Sequence, residues 1–272
     1  MTWVQRNGLT ILAALVAMVV LAPLLWMVSV SFMTPGAAAQ FPPPLWPANP
    51  TLENYRTLFG TYGIGRYVVN SALVSTLATA LALLFTVPAG YAFAKLRFTG
   101  RDAVFQALVA ALVVPGQIGM LPLFLELKAM GLVNSYAGAL VPWLAGIFGI
   151  FLVRQFCVSI PTEMLEAARV DGAGETLILR KIVLPTLRPI LVTLALFVFL
   201  GSWNDFMWPL IILADQNLYT LPVALAALAR EHVQDNELMM AGSVVTVFPV
   251  LVVFLVLQRH YLDGLLAGSV KG

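Results

Sequence analysis

Asp205 is the one ionisable residue between Pro189 and Ala214 in an otherwise apolar stretch. A carboxylate surrounded by hydrocarbon is costly unless it faces water, a bundle interior or a partner group, so it marks a functional site by default. Its neighbours sharpen the reading, because Trp203-Asn204-Asp205 sets an aromatic plate beside two hydrogen-bonding groups, a combination suited to sugar hydroxyls. The plainer reading is a hydrogen bond from Asn204 or Asp205 to another helix. No catalytic constellation accompanies it. A membrane enzyme needs at least two clustered polar groups at one depth, and an ion-coupled carrier needs paired ionisable groups; Asp205 alone supplies neither. There is no Gly-rich phosphate loop, so ATP is not expected to bind this chain. No metal site is expected: His232 and His260 fall in different compartments under the topology below. Cys157, the single cysteine, excludes an internal disulfide and a Cys-based cluster and reads as a small packing residue.

Composition says where these residues sit. The chain is 60% hydrophobic and 10% charged with mean hydropathy +0.92, whereas soluble domains carry about 25% charged residues. It is therefore an integral membrane protein. A net charge of +2 without a basic patch implies no nucleic-acid partner. Charge-free intervals predict six helices, about 9–32, 69–94, 104–125, 137–156, 189–213 and 239–258, in a single domain over 1–272. Ala37-Ala38-Ala39 resembles a signal cleavage site, but the apolar run before it is too long for a signal-peptide core, which spans about 7–15 residues.

Basic residues set the orientation. With the N-terminus inside, the inner segments hold Arg6, Lys95, Arg97, Arg101, Arg154, Arg169, Arg180, Lys181, Arg188, Arg259 and Lys271, against Arg56, Arg66, Lys128 and Arg230 outside. Both termini and the loop at about 157–188 are thus expected in the cytoplasm. The first outer loop, with Pro35, Pro42, Pro43, Pro44, Pro47 and Pro50, favours extended geometry along the membrane surface. Thr51 reads as a cap for a short interfacial helix carrying Tyr55 and Phe59. Pro115-Gly116-Gln117, Pro122, Pro142 and Pro249 interrupt backbone hydrogen bonding within spans, allowing bends or packing kinks. No internal repeat is evident, which counts against folds built from two similar halves.

The one long polar interruption is Glu166 to Pro185, EAARVDGAGETLILRKIVLP. Pro161 suits a first helical turn, and Thr162 to Val170 are good helix formers. Asp171-Gly172 is a stop signal, and Glu175 to Leu184 reads as a second short helix ended by Pro185 and Pro189. Ala167 and Ala168 keep one side of the first helix slim enough to enter a groove, while Glu166 offers an anion to a basic partner.

The spacing of Glu166-Ala167-Ala168, Gly172, Ile182 and Leu184-Pro185 resembles the EAA signature of the membrane subunits of bacterial ABC importers. Asp171 belongs to the same stretch. PLLWMVSVSF (23–32), NSALVS (70–75), AGYAFAKLRFTGR (89–101), FLVRQF (151–156), WNDFMWPLI (203–211) and QRHYLDGLLAGSVKG (258–272) are similar to carbohydrate importer permeases of the MalG type. The resemblance covers nearly the whole chain. It implies an all-α, six-span type I importer permease fold in the bacterial inner membrane, with cytoplasmic coupling helices. It also implies an ATP-driven importer of a sugar, disaccharide or oligosaccharide. The partners it implies are a second, MalF-like permease, a dimer of ATP-binding subunits that holds ATP and Mg, and an extracytoplasmic sugar-binding protein. Lipid surrounds the spans. The ending Gly268-Ser269-Val270-Lys271-Gly272 is expected to reach the ATPase; Leu262-Asp263 departs from the common pattern, where a basic residue is frequent.

Overall fold

The structure is a computed structural model that describes the backbone of residues 3–231 and 235–269, and side-chain surroundings for 8–230, 235–256 and 258. Its helices in chain order are α1 (Trp3–Ser31), α2 (Glu53–Gly60), α3 (Ile64–Lys95), α4 (Arg101–Ala111), α5 (Met120–Ala129), α6 (Tyr136–Leu140), α7 (Ile147–Val158), α8 (Thr162–Val170), α9 (Glu175–Ile178), α10 (Leu184–Trp203), α11 (Met207–Ile212), α12 (Leu221–Glu231) and α13 (Asn236–Ser269). No strand occurs among the described residues.

Four helical segments are long and apolar enough to cross a bilayer: Gly8–Ser31, Ile64–Lys95, Glu175–Trp203 and Asn236–Val256. The shortest has 21 residues, or about 32 Å at 1.5 Å per residue, against a hydrocarbon thickness of about 30 Å. The two remaining expected spans are broken. Instead of one helix over 104–125, α4 and the segment Gly116–Ala129 meet at 100°. Pro115 has no amide to donate and pushes Val114 out of helical geometry, while Gly116 and Gly119 hold the helix weakly. Over 137–156 the bend is 42°, between Tyr136–Trp143 and Ile147–Val158, at Pro142 and Gly146.

The opposite correction applies after the cytoplasmic loop. Pro185 and Pro189 do not end the second short helix, because α9 runs through a π-helical turn at Leu179–Val183 into α10 without a stop. A proline clashes with the carbonyl one turn earlier, and the wider π turn makes room for it. The break expected beyond residue 213 falls instead at Asn204–Phe206.

The chain folds into two compact units, each discontinuous in sequence: residues 1–68 with 221–251, and 69–220 with 252–272. In the first, the Pro-rich segment is tied to the end of α1. Trp26 Nε1 donates to the Pro44 carbonyl at 3.2 Å and Ser29 Oγ to that of Leu45 at 2.6 Å. Asn54 Nδ2 donates to the carbonyls of Ser31 and Met33. Tyr55 is half-buried with its hydroxyl 2.8 Å from Ser31 Oγ and its ring against Phe32. Thr51 Oγ1 accepts from the Glu53 amide at 3.1 Å, close to the expected cap.

In the second unit, small residues decide the helix approaches, as they do where lipid removes any hydrophobic drive between helices. Gly90 of α3 meets Val153 of α7, and Gly149 of α7 meets Thr86 of α3 and Leu194 of α10. One buried cluster joins Val87, Tyr91, Val153, Cys157, Leu165, Ile178, Val183 and Leu187, carrying the core from α3 and α7 into the cytoplasmic loop and α10. A second gathers Val74, Ala78, Leu127, Leu140, Trp208 and Ile212.

Candidate functional site

The expected stop at Gly172 is a Schellman cap. Gly172 lies at φ 86°, its amide donates to the Arg169 carbonyl at 3.0 Å, and the Ala173 amide donates to that of Ala168 at 2.9 Å. This pairing of the two residues after a helix end needs left-handed backbone at its first position, where glycine carries no Cβ penalty. Pro161 precedes α8 with extended backbone (ψ 129°), one position earlier than expected.

Within α8, Leu165 is fully buried while Glu163, Met164, Glu166, Ala167 and Val170 are exposed. Met164, Ala167 and Val170 fall at helical spacing on the open side, and Val170 is 88% exposed. Glu166 lies on the same side and has no ion pair among the described residues. The outcome is a short, slim, partly apolar helix surface flanked by two carboxylates. Ala168 is half-buried and faces the core instead. Ile182 and Leu184 pack half-buried against the same cluster, around buried Val183, while Asp171 and Pro185 are exposed.

What holds α8 in place is not foreshadowed by any motif. Arg169 Nε donates to Glu175 Oε1 at 2.7 Å, and the Tyr91 hydroxyl donates to the other carboxylate oxygen. The Glu175 carboxylate holds the Arg169 guanidinium above its ordinary pKa, chiefly through that hydrogen bond. At the other end of α8, Lys95 Nζ donates to the Ile160 carbonyl and lies 3.4 Å from both the Val158 carbonyl and Thr162 Oγ1. A cation there also suits the negative end of α7. The only hint in the sequence is that Lys95 closes the charge-free interval of α3.

Asp205 sits in the break between α10 and α11, not inside a helix. Its Oδ1 accepts from the Trp208 amide at 3.3 Å, the geometry of an N-terminal cap. It lines a cavity of about 410 Å³ with Gly116, Gly119, Met120, Trp143, Gly201 and Trp208 among its walls. Trp203 is not the aromatic plate of this cavity: it is 1% exposed and stacks on Phe199. Asn204 is exposed and its Nδ2 donates to the Leu200 carbonyl at 2.8 Å. The indoles beside Asp205 are Trp143 and Trp208, and Trp208 Nε1 is already engaged by the Gly138 carbonyl at 3.1 Å. The broken helices at Pro115 and Pro142 bring Gly116, Gly119 and Trp143 to one wall, a juxtaposition that requires the bends to be known.

Among the described residues no group of His, Cys, Asp and Glu is arranged to hold a metal ion. His232 lies outside the described residues, as do Val270, Lys271 and Gly272. Gly268 and Ser269 are helical, in the last turn of α13.

Residues 86–264 match the family described as binding-protein-dependent transport system inner membrane component. The arabinooligosaccharides transport system permease protein AraQ of Halalkalibacterium halodurans is 35% identical over 271 residues, covering 97% of this chain and 96% of that protein. The diacetylchitobiose uptake system permease protein NgcG of Streptomyces coelicolor is 34% identical over 259 residues, 94% of this chain and 84% of its own. A bacterial ABC transporter involved in the import of the acidic polysaccharide alginate contains a chain of the same fold, with TM-score 0.83 and 24% identity over 96% of this chain and 99% of that one. On these matches, which run through both the loop around α8 and the cavity at Asp205, the chain belongs to the inner membrane components of binding-protein-dependent transport systems, the permease subunits of ABC importers.

Proposed function

We propose that this chain is one of two permease subunits of an ATP-driven carbohydrate importer and that α8 is its docking element for a separate ATPase. The observation that carries the docking reading is the open face of α8. Met164, Ala167 and Val170 are presented to a partner, Glu163 and Glu166 flank them, and Gly172 stops the helix cleanly. A buried Leu165 beneath that face anchors it, so a push on α8 moves a packed body and not a loose loop. The second permease is MalF-like, ATP and Mg bind on the ATPase dimer, and an extracytoplasmic binding protein delivers the sugar. Residues Gly268 to Gly272 reach toward the ATPase. Both termini and α8 face the cytoplasm, as the distribution of basic residues supports.

The cavity at Asp205 is the part of the pathway that this chain contributes. Indole faces stack on the C–H face of a pyranose and a carboxylate accepts from its hydroxyls, so Trp143 and Asp205 together offer both halves of sugar recognition. The permeases named for arabinooligosaccharides and diacetylchitobiose support an oligosaccharide cargo. The test is purification in mild detergent through a tag on this chain, then uptake of radiolabelled arabinotriose, chitobiose and lactose by proteoliposomes holding the purified complex together with its sugar-binding protein. ATP-dependent uptake of at least one sugar, with an ATPase in the complex, is expected. Uptake driven by an ion gradient without ATP would remove the importer reading.

A further inference from the structure

We infer that α3 is the rod that carries the movement of α8 to the segment bordering the Asp205 cavity, with Tyr91 and Lys95 as its grips on α8 and Asn70 as its grip at the other end. This rests on the reading of α8 as the ATPase docking element and specifies how its motion leaves the loop.

Chain connectivity joins α8 only to α7 before it and α9–α10 after it. Side chains add a third route. Tyr91 and Lys95 stand four residues apart and hence on one face of α3. Lys95 holds the carbonyls of Val158, the last residue of α7, and of Ile160 in the link to α8, and approaches Thr162, the first residue of α8. Tyr91 holds Glu175, which in turn holds Arg169 in the last turn of α8. Both ends of the docking helix are thus fastened to one turn of α3. Two fastenings transmit rotation as well as translation, which a single contact cannot do.

The other end of the same helix is fastened equally well. Asn70 Nδ2 donates to the carbonyls of Asn217 and Tyr219, each at 2.9 Å, and Asn70 Oδ1 accepts from the Tyr136 hydroxyl at 2.7 Å. Asn70 is buried. Residues 216–219 follow α11 after the short link 213–215, and α11 begins just after Asp205 and contains the cavity residue Trp208. From Asn70 to Lys95 the helix is continuous through Pro88, whose ring removes one backbone hydrogen bond without ending the helix, and it spans about 38 Å at 1.5 Å per residue. None of these grips involves the open face of α8, so they are free to act while a partner is docked.

The test places spin labels at Gly174→Cys, two residues beyond the Gly172 cap of α8 and off its open face, and at Leu84→Cys on the exposed side of α3, in the complex purified through this chain and reconstituted in lipid nanodiscs. Pulsed dipolar spectroscopy on the parent should give one narrow distance peak whose position is the same in the nucleotide-free and ATP-trapped states, since α3 moves with α8. In the double variant Tyr91→Phe/Lys95→Met the expected result is a broadened peak whose position differs between the two states. The ATPase should still co-purify and hydrolyse ATP. Lys95→Arg, which keeps a cation in reach of the carbonyls, should retain the peak. A peak equally narrow and equally independent of nucleotide in the double variant would overturn the rod while leaving α8 as the docking element. Failure of the parent complex to retain any ATPase would overturn that docking reading, and with it the rod's role in coupling.

Discussion

Gly90 of α3 lies so close to Val153 of α7 that a Cβ on the glycine would stand 2.6 Å from Val153 Cγ1 and 3.0 Å from the Arg154 amide nitrogen. Val153 is fully buried, and the backbone behind it cannot swing aside. Gly90→Leu should therefore cost about 1–3 kcal/mol or more through overpacking. SDS-induced unfolding in mixed micelles measures this. The paired change Gly90→Ala/Val153→Ala should recover part of the loss, and an unaltered transition for Gly90→Leu would show that the two helices separate readily.

At Gly172 nothing lies within 4 Å of an added Cβ, so a substitution there meets backbone strain and no local clash. For a non-glycine residue in the left-handed region the penalty is about 1–2 kcal/mol. Gly172→Asp is expected to fold and insert, to bind the ATPase weakly and not to transport. Glu166→Lys, with reversed charge on the open face of α8, should weaken association more mildly. Pull-down of the ATPase by each variant is the measurement, and normal association with normal sugar uptake in both would remove α8 from the coupling role.

Asp205 has two separable duties. As a cap of α11 its loss costs roughly 0.5–2 kcal/mol, which Asp205→Asn should avoid because the amide oxygen still accepts from the Trp208 amide. In the cavity it offers a carboxylate, whose charge Asn lacks. Asp205→Asn should thus assemble normally and transport poorly, while Asp205→Ala should lose both stability and transport. Wild-type uptake in Asp205→Asn, measured alongside complex yield, would confine the residue to capping.

Orientation is open to a direct labelling measurement. Gln40, Asn236 and Gly174 are exposed, and native Cys157 is buried. Single cysteines at Gln40 and Asn236 should react with an impermeant thiol reagent added outside intact cells, and one at Gly174 should react only after permeabilisation. Labelling at Gly174 in sealed cells would invert the topology.

The loop around α8 was legible because its instructions are local. Gly172 must take positive φ wherever a helix ends in a Schellman cap, and Thr162 to Val170 form a helix on propensity alone. The apolar spans were legible for a similar reason, since a bilayer demands length and the absence of charge, both countable along a chain. Prolines were read less well. Pro115 breaks its helix, whereas a π turn packed around Val183 makes room for Pro185, and α10 carries Pro189 in its interior without ending.

By itself the sequence determined an all-helical membrane protein and the polar loop in which α8 is capped at Gly172, because composition, periodicity and glycine placement act within a few residues. Only the tertiary structure decided which side chains meet. It withdrew Trp203 from the cavity and set Trp143 there, made Asp205 a cap in a break between helices, and joined Tyr91 to Glu175 across 84 positions. Such pairings depend on where bent helices cross, and the bend angles at Pro115 and Pro142 are settled by packing against neighbours that no local pattern encodes.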